Sequence, residues 1–290
     1  MNKFLTIVIT GYRSEKLILS HLKNLHKKYK IIIIENSYDK SLKRKIENKY
    51  KGVDVFLKKN IGFGRALNFA AKKVKTKYFI SINPDTTLYT NTIKNLIKAA
   101  NKIDNFGSIS PVIINKKPNK KEIIIESKKV NGPIMLFKTK TFLKINGFDK
   151  NIFLYYEEND YFKKCNNLNL KLYLVNNSYY NHSKSSKFNE SLVVKSSSFS
   201  NIEEKNNSYF VGGWHGQWSK FYYFKKYNGY IKASIVCLPH ILLTIIQMIF
   251  CLFINFNKAK YKYYKVEGCV CAALGTPSFK RSKYDKVNIY

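Results

Sequence analysis

The amino-acid sequence predicts an α/β protein with a doubly wound, mostly parallel central sheet and helices on both faces, followed by a helical C-terminal section. Four apolar runs of strand length alternate with segments whose apolar residues recur at helical spacing. These runs are residues 4–10, 30–36, 53–59 and 77–83. Strands that alternate with helices indicate βαβ units and a parallel sheet.

The helical segments lie between these strands. Residues 14–28 (SEKLILSHLKNLHKK) and 64–74 (GRALNFAAKKV) have the apolar spacing of helices, and we expect a further helix near residues 90–103. The alternation weakens after that helix, where strand-like runs remain at 107–114 and 170–176. The regular α/β pattern is therefore clearest in the first half of the chain.

The C-terminal part differs in kind, so we expect an α/β domain over residues 1–210 and an aromatic, basic and apolar helical section over 211–290. Residues 235–254 form an uncharged run of the length, about 20 residues, that a membrane span requires. Both flanks are basic and rich in tyrosine, whereas a simple span prefers its positive charge on the cytoplasmic side. The symmetric flanks favour a helix lying in the membrane interface or a re-entrant helix. A buried core helix is the alternative.

The net charge of the chain limits the kinds of binding partner that we expect. A formal net charge of +34 is typical of proteins that bind nucleic acid or an anionic membrane surface. Lysine is enriched throughout, without an arginine-rich arm or an RNA-binding aromatic signature, so we expect an anionic membrane surface and no nucleic acid. Trp214, His215 and Trp218 lie in an aromatic and basic segment that predicts an anchor at the membrane interface. The five cysteines include no C-x-x-C pair, which indicates a reducing compartment.

Ligands of doubly wound sheets bind outside the carboxyl ends of the strands. The second such end carries Glu35, Asn36, Ser37 and Asp39. An acidic side chain at that point can accept hydrogen bonds from a ribose or a base. The same residue types also cap the start of a helix, and the sequence leaves both interpretations open.

The third strand end carries a Gly62-x-Gly64 pattern, and Asp85 follows about 20 positions later, which is the spacing of a dinucleotide fingerprint. Leu67 stands where the third glycine should be, and the pattern follows the third strand rather than the first. The glycines therefore indicate a close backbone approach to a nucleotide, or a tight turn.

The fourth strand end is Asn83-Pro84-Asp85. Proline cannot continue the hydrogen-bond ladder of a central strand, so Pro84 marks the end of the strand. Asn83 and Asp85 can place two oxygen atoms on one side of the turn, as a Mg²⁺ site requires. Asn-Pro and Pro-Asp are also common turn dipeptides, so this motif needs corroboration.

Two features further along the chain corroborate a functional role for the Asn83-Pro84-Asp85 motif. Glu157, Glu158 and Asp160 lie among aromatic residues, where mutual repulsion and an apolar environment raise a pKa toward that of a general base. The alternative is a solvated helix start, since acidic residues favour the first turn of a helix. His182 follows the last predicted strand, and a neutral imidazole is a good metal ligand, although a single surface histidine usually has no such role.

Taken in order, these segments resemble the inverting GT-A glycosyltransferases of family 2, in particular the rhamnosyltransferase-like branch that builds cell-surface polysaccharide. The resemblance covers roughly residues 4–275 and rests on six segments: IVITGYRSEKLILSHLKNL, IIIIENSYD, NIGFGRALN, SINPDTTL, GPIMLFKTKTFLKINGFDKNIFLYYEENDYFKK and NHSKSS. It implies a GT-A fold and transfer, with inversion, of a sugar from a nucleotide-diphospho-sugar donor to a hydroxyl of a saccharide or a polyprenyl-diphosphate-linked acceptor. Rhamnose is the first candidate for that sugar. The resemblance also implies a divalent metal, Mg²⁺ or Mn²⁺, and a cytoplasmic protein associated with the inner face of the cell membrane.

The resemblance assigns roles to individual residues. The implied nucleotide-sugar contacts are Thr10, Gly11, Tyr12, Glu35, Asn36, Asn60, Gly62, Asn68 and Asn83. The implied metal ligands are Asp85 and His182. Glu158 stands where the family has its catalytic base, and the choice among Glu158, Glu157 and Asp160 stays open.

The chain departs from the family pattern at three positions. Glu35 and Glu158 stand where aspartate is usual, and Asn83 replaces the first carboxylate of the D-x-D metal motif. A catalytically inactive polysaccharide-assembly or binding protein of the same fold is the first alternative. A dinucleotide-binding oxidoreductase is the second.

Overall fold

The computed structural model describes residues 4–116, 121–182 and 202–285. The strands are β1 (Leu5–Gly11), β2 (Lys30–Glu35), β3 (Val53–Leu57), β4 (Tyr78–Ile82), β5 (Thr86–Leu88), β6 (Phe106–Ile113), β7 (Ile124–Ser127), β8 (Ile134–Lys138) and β9 (Lys171–His182). The helices are α1 (Glu15–Leu25), α2 (Lys40–Lys49), α3 (Phe63–Ala71), α4 (Thr92–Lys102), α5 (Thr139–Lys144), α6 (Glu157–Asn167), α7 (Ile202–Asn228), α8 (Tyr230–Ile254) and α9 (Phe256–Ala273).

The chain forms two compact units. The first contains the described residues of Met1–Ile61, Arg65–Phe148 and Tyr161–Ser198, and the second those of Gly62–Gly64, Asp149–Asp160 and Phe199–Tyr290. The predicted division at residue 210 stays a prediction. Helix α7 runs through that position without a break.

The first unit is built on a nine-stranded sheet with the order β3-β2-β1-β4-β8-β6-β9-β5, and β7 pairs with β9. Strands β1 to β4 are mutually parallel, which confirms the α/β pattern that the sequence predicts. Strand β8 is antiparallel to β4 and β6, and β9 is parallel to β6 but antiparallel to β5 and β7. The mixed half of the sheet comes from the region where the sequence alternation weakens.

Burial explains why the central strands are so apolar. Residues Ile31, Ile32, Ile33 and Ile34 of β2 are all buried, because both faces of a central parallel strand are covered. Each buried isoleucine side chain contributes about 1.5–3 kcal/mol relative to an exposed one. The carboxyl ends of β1 to β4 are therefore fixed by a rigid core.

The second unit packs α7, α8 and α9 around one aromatic core. Trp214, Trp218 and Phe221 of α7 contact small and apolar residues of α8 and α9. A Cβ atom on Gly268 of α9 would lie 2.2 Å from the carbonyl oxygen of Trp214, so only glycine permits this close helix crossing. The expectation that Trp214, His215 and Trp218 anchor the protein at a membrane interface is wrong, because all three are buried.

Helix α8 presents a different surface on each side. Ala233, Cys237, Ile241 and Thr244 are buried and recur at helical spacing, so they form the inward stripe. Much of the remaining surface is exposed and apolar, including Phe253 at 86% exposure. By length and composition α8 could cross a membrane, with a mean hydropathy of 2.4 and 17% of its most apolar window buried. This pattern is unlike that of a fully buried core helix.

Candidate active site

The Asn83-Pro84-Asp85 turn follows β4 and is held from several directions. The backbone N–H of Asn83 donates to the carbonyl of Pro133 at 2.9 Å, and the carbonyl of Asn83 accepts from the Thr86 hydroxyl at 2.7 Å. His21 Nε2 of α1 donates to the Pro84 carbonyl at 3.2 Å. These hydrogen bonds hold the turn that carries Asn83 and Asp85 in a fixed conformation.

His21 is a functional candidate that sequence reasoning missed. It is buried with Ile18, Leu22 and Leu25 on the inward face of α1. Burial lowers the pKa of His21, so the ring is neutral at physiological pH and can donate only one N–H. A polar residue on the apolar face of the first helix was the available signal.

Asp85 and His182, the two metal ligands that the resemblance implies, are in contact, and their metal role stays a prediction. Asp85 Oδ2 lies 3.2 Å from His182 Nε2, with 22% and 17% of the two side chains exposed. The contact spans 97 residues and arises because β5 pairs with β9 so that Thr86 lies opposite His182. A cleft of about 160 Å³ opens beside Asp85.

The spacing of this pair fits a divalent ion. Two ligand atoms at right angles, each about 2.1 Å from the metal, are about 3 Å apart. Among the described residues, no group of three or more His, Cys, Asp and Glu side chains could hold a metal. Mg²⁺ is usually bound by one or two carboxylates together with substrate phosphates and water, so a two-residue site suits a metal that arrives with a diphosphate.

Two buried oxygen atoms beside this pair have no hydrogen-bond partner among the described residues: Thr10 Oγ1 and Asn83 Oδ1. They lie at the carboxyl ends of neighbouring strands, because Ile9 of β1 pairs with Ile82 of β4. Buried polar atoms in native proteins nearly always have a partner. A polar ligand at this edge of the sheet would supply one.

The hydroxyl of Tyr180 is a third such atom in the described part of the chain, and Tyr180 is fully buried. Its pKa is raised by burial and then by the negative charge of Asp85. Tyr180 therefore stays protonated and can donate a hydrogen bond near the Asp85 carboxylate. Tyr180 is not among the residues that the sequence pattern indicates as functional.

Three predicted nucleotide-contact residues are tied together by backbone hydrogen bonds. The N–H of Asn36 donates to the carbonyl of Gly11, and the carbonyl of Asn36 accepts from the N–H of Asn60, both at 2.8 Å. Tyr12 is half-buried, and the guanidinium of Arg13 lies 5.5 Å from the centre of its ring. The ends of β1, β2 and β3 thus form one connected edge.

Glu35 orders the turn after β2. Its two carboxylate oxygens accept the backbone N–H groups of Ser37 and Asp39 at 2.9 and 2.7 Å. The Asp39 side chain in turn accepts the N–H of Leu42 and caps α2. The helix-cap interpretation of this segment is therefore correct for Asp39, and the nucleotide contact of Glu35 stays a prediction.

Asn68 serves the fold in this structure. Its amide nitrogen donates to the carbonyl of Phe148 at 2.8 Å, and its amide oxygen accepts the N–H of Phe148 at 2.9 Å. Gly147, at φ +48°, has no room for a Cβ atom, which would lie 2.3 Å from Asn68 Oδ1. These contacts assign Asn68 to holding the loop at residues 147–148, and its nucleotide role stays a prediction.

Gly62 and the acidic cluster belong to the second unit. Gly62 has φ +85°, and a Cβ atom there would lie 2.2 Å from the carbonyl oxygen of Phe153. The N–H of Phe63 donates to that same carbonyl at 3.3 Å. Gly62 therefore permits a close approach to the protein's own backbone, and its nucleotide contact stays a prediction.

The acidic cluster forms the first turn of α6, as the helix-start interpretation predicts. It is not simply solvated, because Glu157 is 4% exposed and Asp160 is fully buried, while Glu158 is half-buried. Burial and then the charge of Glu158 raise the pKa of Glu157 well above its usual range, and burial raises the pKa of Glu158. A carboxylate with a raised pKa is a better proton acceptor near neutral pH.

Asp160 is committed to an ion-pair network. Lys226 Nζ of α7 lies 2.5 Å from Asp160 Oδ1 and 2.7 Å from Asp149 Oδ2. The hydroxyls of Tyr227 and Tyr222 donate to the same two carboxylates at 3.0 Å. Asp160 therefore fits a structural role, which leaves Glu157 and Glu158 as candidate bases.

Comparison with known proteins places this geometry in a family. The model of the family described as glycosyl transferase family 2 matches residues 6–167. The chain belongs to this family. Rhamnosyltransferase WbbL of Escherichia coli (strain K12) is 27% identical over an alignment of 210 positions, and the match covers 58% of this chain and 79% of that protein. The resemblance to a rhamnosyltransferase-like family 2 enzyme is confirmed.

Solved structures show the same fold. The mannosyltransferase PcManGT from Pyrobaculum calidifontis, in complex with GDP-Man and Mn²⁺, matches with a TM-score of 0.55 at 11% identity, over 92% of this chain and 86% of that one. GalNAc-T7 with UDP, GalNAc and Mn²⁺ matches with a TM-score of 0.52 at 15% identity, over 62% of this chain and 43% of that one. This family 2 glycosyltransferase has the GT-A fold, as expected.

Proposed function

We propose that this protein transfers a sugar, with rhamnose as the first candidate, from a nucleotide-diphospho-sugar to a hydroxyl of a saccharide or lipid-linked saccharide acceptor, with inversion. The observation that carries the proposal is the Asp85–His182 pair at 3.2 Å beside the unpartnered buried atoms Thr10 Oγ1 and Asn83 Oδ1 among the described residues. Rhamnose is chosen because the relative in Escherichia coli is a rhamnosyltransferase.

Asp85 and His182 would hold a divalent metal, which neutralises charge on a departing nucleoside diphosphate. Both solved relatives contain Mn²⁺, which supports a divalent metal and leaves Mg²⁺ and Mn²⁺ as equal candidates. Thr10 Oγ1 and Asn83 Oδ1 would contact the donor from the ends of β1 and β4. His21 keeps the metal turn in place through the Pro84 carbonyl.

Glu158 would take the proton from the acceptor hydroxyl as that oxygen attacks the anomeric carbon. The bond from this carbon to the diphosphate breaks in the same displacement, and a single displacement inverts the configuration. Glu158 is favoured over Asp160 because Asp160 is paired with Lys226. It is favoured over Glu157 because Glu158 is the more exposed of the two carboxylates and is therefore the more accessible to a substrate hydroxyl.

The second unit would associate with the cytoplasmic face of the cell membrane. Exposed apolar side chains along α8, including Leu243, Ile246 and Phe250 at 59%, 64% and 66% exposure, would enter the lipid. The net charge of +34 favours an anionic surface. A polyprenyl-diphosphate-linked acceptor would reach the enzyme from that surface.

The direct test supplies a panel of nucleotide sugars with methyl glycosides as hydroxyl acceptors, and it measures the nucleoside diphosphate released by the full chain, with Mn²⁺ and then with Mg²⁺. Removal of a general base lowers the rate about 10²–10⁴-fold, so Glu158→Gln should lose at least 100-fold, and Asp85→Ala should also abolish transfer. Asp54→Ala and Glu126→Gln, at exposed ion pairs, are the matched controls.

Wild-type activity in either site variant would remove that residue from the mechanism. If the wild-type chain releases no nucleoside diphosphate with any donor and either metal, the proposed activity is wrong and the inactive polysaccharide-assembly protein is favoured.

A further inference from the structure

A cluster of three tyrosines lies beside the acidic turn of the second unit. Tyr155 precedes Glu157 by two residues, Tyr209 lies on α7 and Tyr261 on α9. Tyr155 and Tyr209 are 48% and 54% exposed, and Tyr261 is half-buried. The rings of Tyr209 and Tyr261 are stacked with their centres 4.1 Å apart and their planes at 16°. We call these three residues the tyrosine cluster.

The fold makes specific room for this cluster. Tyr209, Gly212, Gly213 and Gly216 share one face of α7, because they are spaced three, four and seven residues apart. A Cβ atom on Gly212 would lie 3.2 Å from the Tyr155 hydroxyl, and one on Gly213 would lie 2.5 Å from the Tyr261 ring. Glycine inside a helix is unfavourable relative to alanine. Glycines on this face let the two rings lie against the helix.

The backbone at Tyr155 is also unusual. Tyr155 and Tyr156 have φ values of +63° and +64°, a region that bulky residues rarely adopt. Such conformations are energetically unfavourable and cluster at functional sites. The strained turn places the Tyr155 ring and the Glu157 carboxylate in the same small region.

The electrostatics of the cluster show that its polar groups are near one another. The pKa of Tyr155 is raised by burial and then by the charges of Glu157 and Tyr209. The pKa of Tyr261 is raised to about 12, by burial first and then by Tyr209. Glu157 is 4% exposed, and its Oε2 atom has no hydrogen-bond partner within the described ranges. A buried carboxyl oxygen without a partner indicates a polar ligand, because buried polar atoms nearly always have a hydrogen-bond partner.

We propose that the tyrosine cluster is a saccharide-binding subsite that holds the acceptor sugar beside the Glu157 and Glu158 carboxylates. A pyranose ring has C–H groups that pack on aromatic faces and hydroxyls that pair with phenol and carboxylate oxygens, so it matches both parts of the site. The proposal rests on the proposed function for the identity of this sugar as the acceptor. A membrane contact would use the ring faces but leave Glu157 Oε2 without a donor.

The test uses saturation-transfer NMR on the full chain in detergent micelles with methyl glycosides of rhamnose, galactose and N-acetylglucosamine. We expect transfer to the ring protons of at least one glycoside. Tyr209→Ala should reduce that signal at least five-fold, and Tyr209→Phe, which keeps the ring, should retain at least half of it. Tyr263→Ala, at a tyrosine 51% exposed outside the cluster, should leave the signal unchanged.

The proposal is overturned if no glycoside receives saturation from the wild-type chain, or if Tyr209→Ala binds as the wild type does. It is also overturned if Tyr209→Ala loses flotation on anionic vesicles as strongly as it loses glycoside binding, since the cluster would then be a membrane contact. Nucleoside diphosphate release from the donor panel, with the same glycosides as acceptors, is measured on the same samples. Donor turnover without glycoside binding refutes only the subsite, and glycoside binding without donor turnover refutes only the proposed function.

Discussion

Replacing Lys226 by methionine tests whether the acidic turn is held in place by its ion-pair network. Lys226 Nζ contacts the carboxylates of Asp149 and Asp160, which are 10% and 0% exposed. Methionine keeps the aliphatic stem and removes the charge. The variant would leave Asp160 buried with Tyr227 as its remaining side-chain donor in the described part of the chain.

The structure sets the size of the effect. Breaking a buried ion pair by removing one partner costs about 3–5 kcal/mol, because the other charge is left uncompensated. Lys226 is 30% exposed, so water screens part of the interaction. We therefore expect the free energy of unfolding to fall by about 2–3 kcal/mol. At about 2–4 °C for each kcal/mol, the melting temperature should fall by about 4–12 °C.

The assay is urea and thermal unfolding of the full chain in detergent, with Lys225→Met on the same helix as the control. The double variant Lys226→Met, Asp160→Asn should be more stable than the sum of the two single losses predicts, because it removes both buried charges. A loss below about 0.5 kcal/mol for Lys226→Met, within the range of ordinary surface substitutions, would refute the reasoning.

The pH dependence of this loss has a definite sign. Burial alone would raise the pKa of Asp149, but Lys226, the N–H of Asn151 and the Tyr222 hydroxyl lower it overall. A lowered pKa in the folded state contributes stability that is present above the unfolded pKa of about 3.9 and is lost as pH falls through the folded value. The difference between wild type and Lys226→Met should therefore be full at neutral pH and shrink below about pH 4.

Two further predictions concern catalysis. Burial raises the pKa values of Glu157 and Glu158. The plot of kcat/KM against pH should therefore have a rising limb whose midpoint lies above the ordinary glutamate pKa of about 4.3. A midpoint at or below that value would contradict this prediction. Glu157→Gln should leave the limb near its wild-type position, because burial and not the charge of Glu157 raises the pKa of Glu158. His21→Ala should raise the Mn²⁺ concentration needed for half-maximal activity several-fold, because the Pro84 carbonyl loses its hydrogen-bond donor. The control variant His26→Ala should leave this concentration unchanged. Equal metal dependence in both variants would show that His21 does not contribute to the site.

Sequence periodicity was sufficient for the first half of the fold. Apolar runs at strand spacing and helical spacing identify β1 to β4 and the helices α1, α3 and α4 because these elements alternate locally. The same patterns did not predict that β8 pairs antiparallel with β4. Pairings between distant strands depend on chain topology, which local spacing does not encode.

The burial of the C-terminal aromatics was also beyond the sequence. Trp214, His215 and Trp218 have the composition of a membrane-interface anchor, but they are buried in the core of the second unit. His215 is held there by the Lys280 carbonyl at 2.8 Å and the Ser278 hydroxyl at 3.1 Å, and burial lowers its pKa to about 3. Composition alone could not distinguish the two environments.

At the candidate site, the sequence by itself determined that Pro84 ends a buried strand and that Asp85 follows it, because proline cannot donate to the sheet. It also determined that three carboxylates lie together at residues 157–160. Only the tertiary structure decided that His182, 97 residues away, contacts Asp85. It also decided that Asp160 is paired with Lys226 while Glu158 stays partly exposed. The physical reason is that strand pairing and helix packing bring together groups whose separation along the chain carries no local signal.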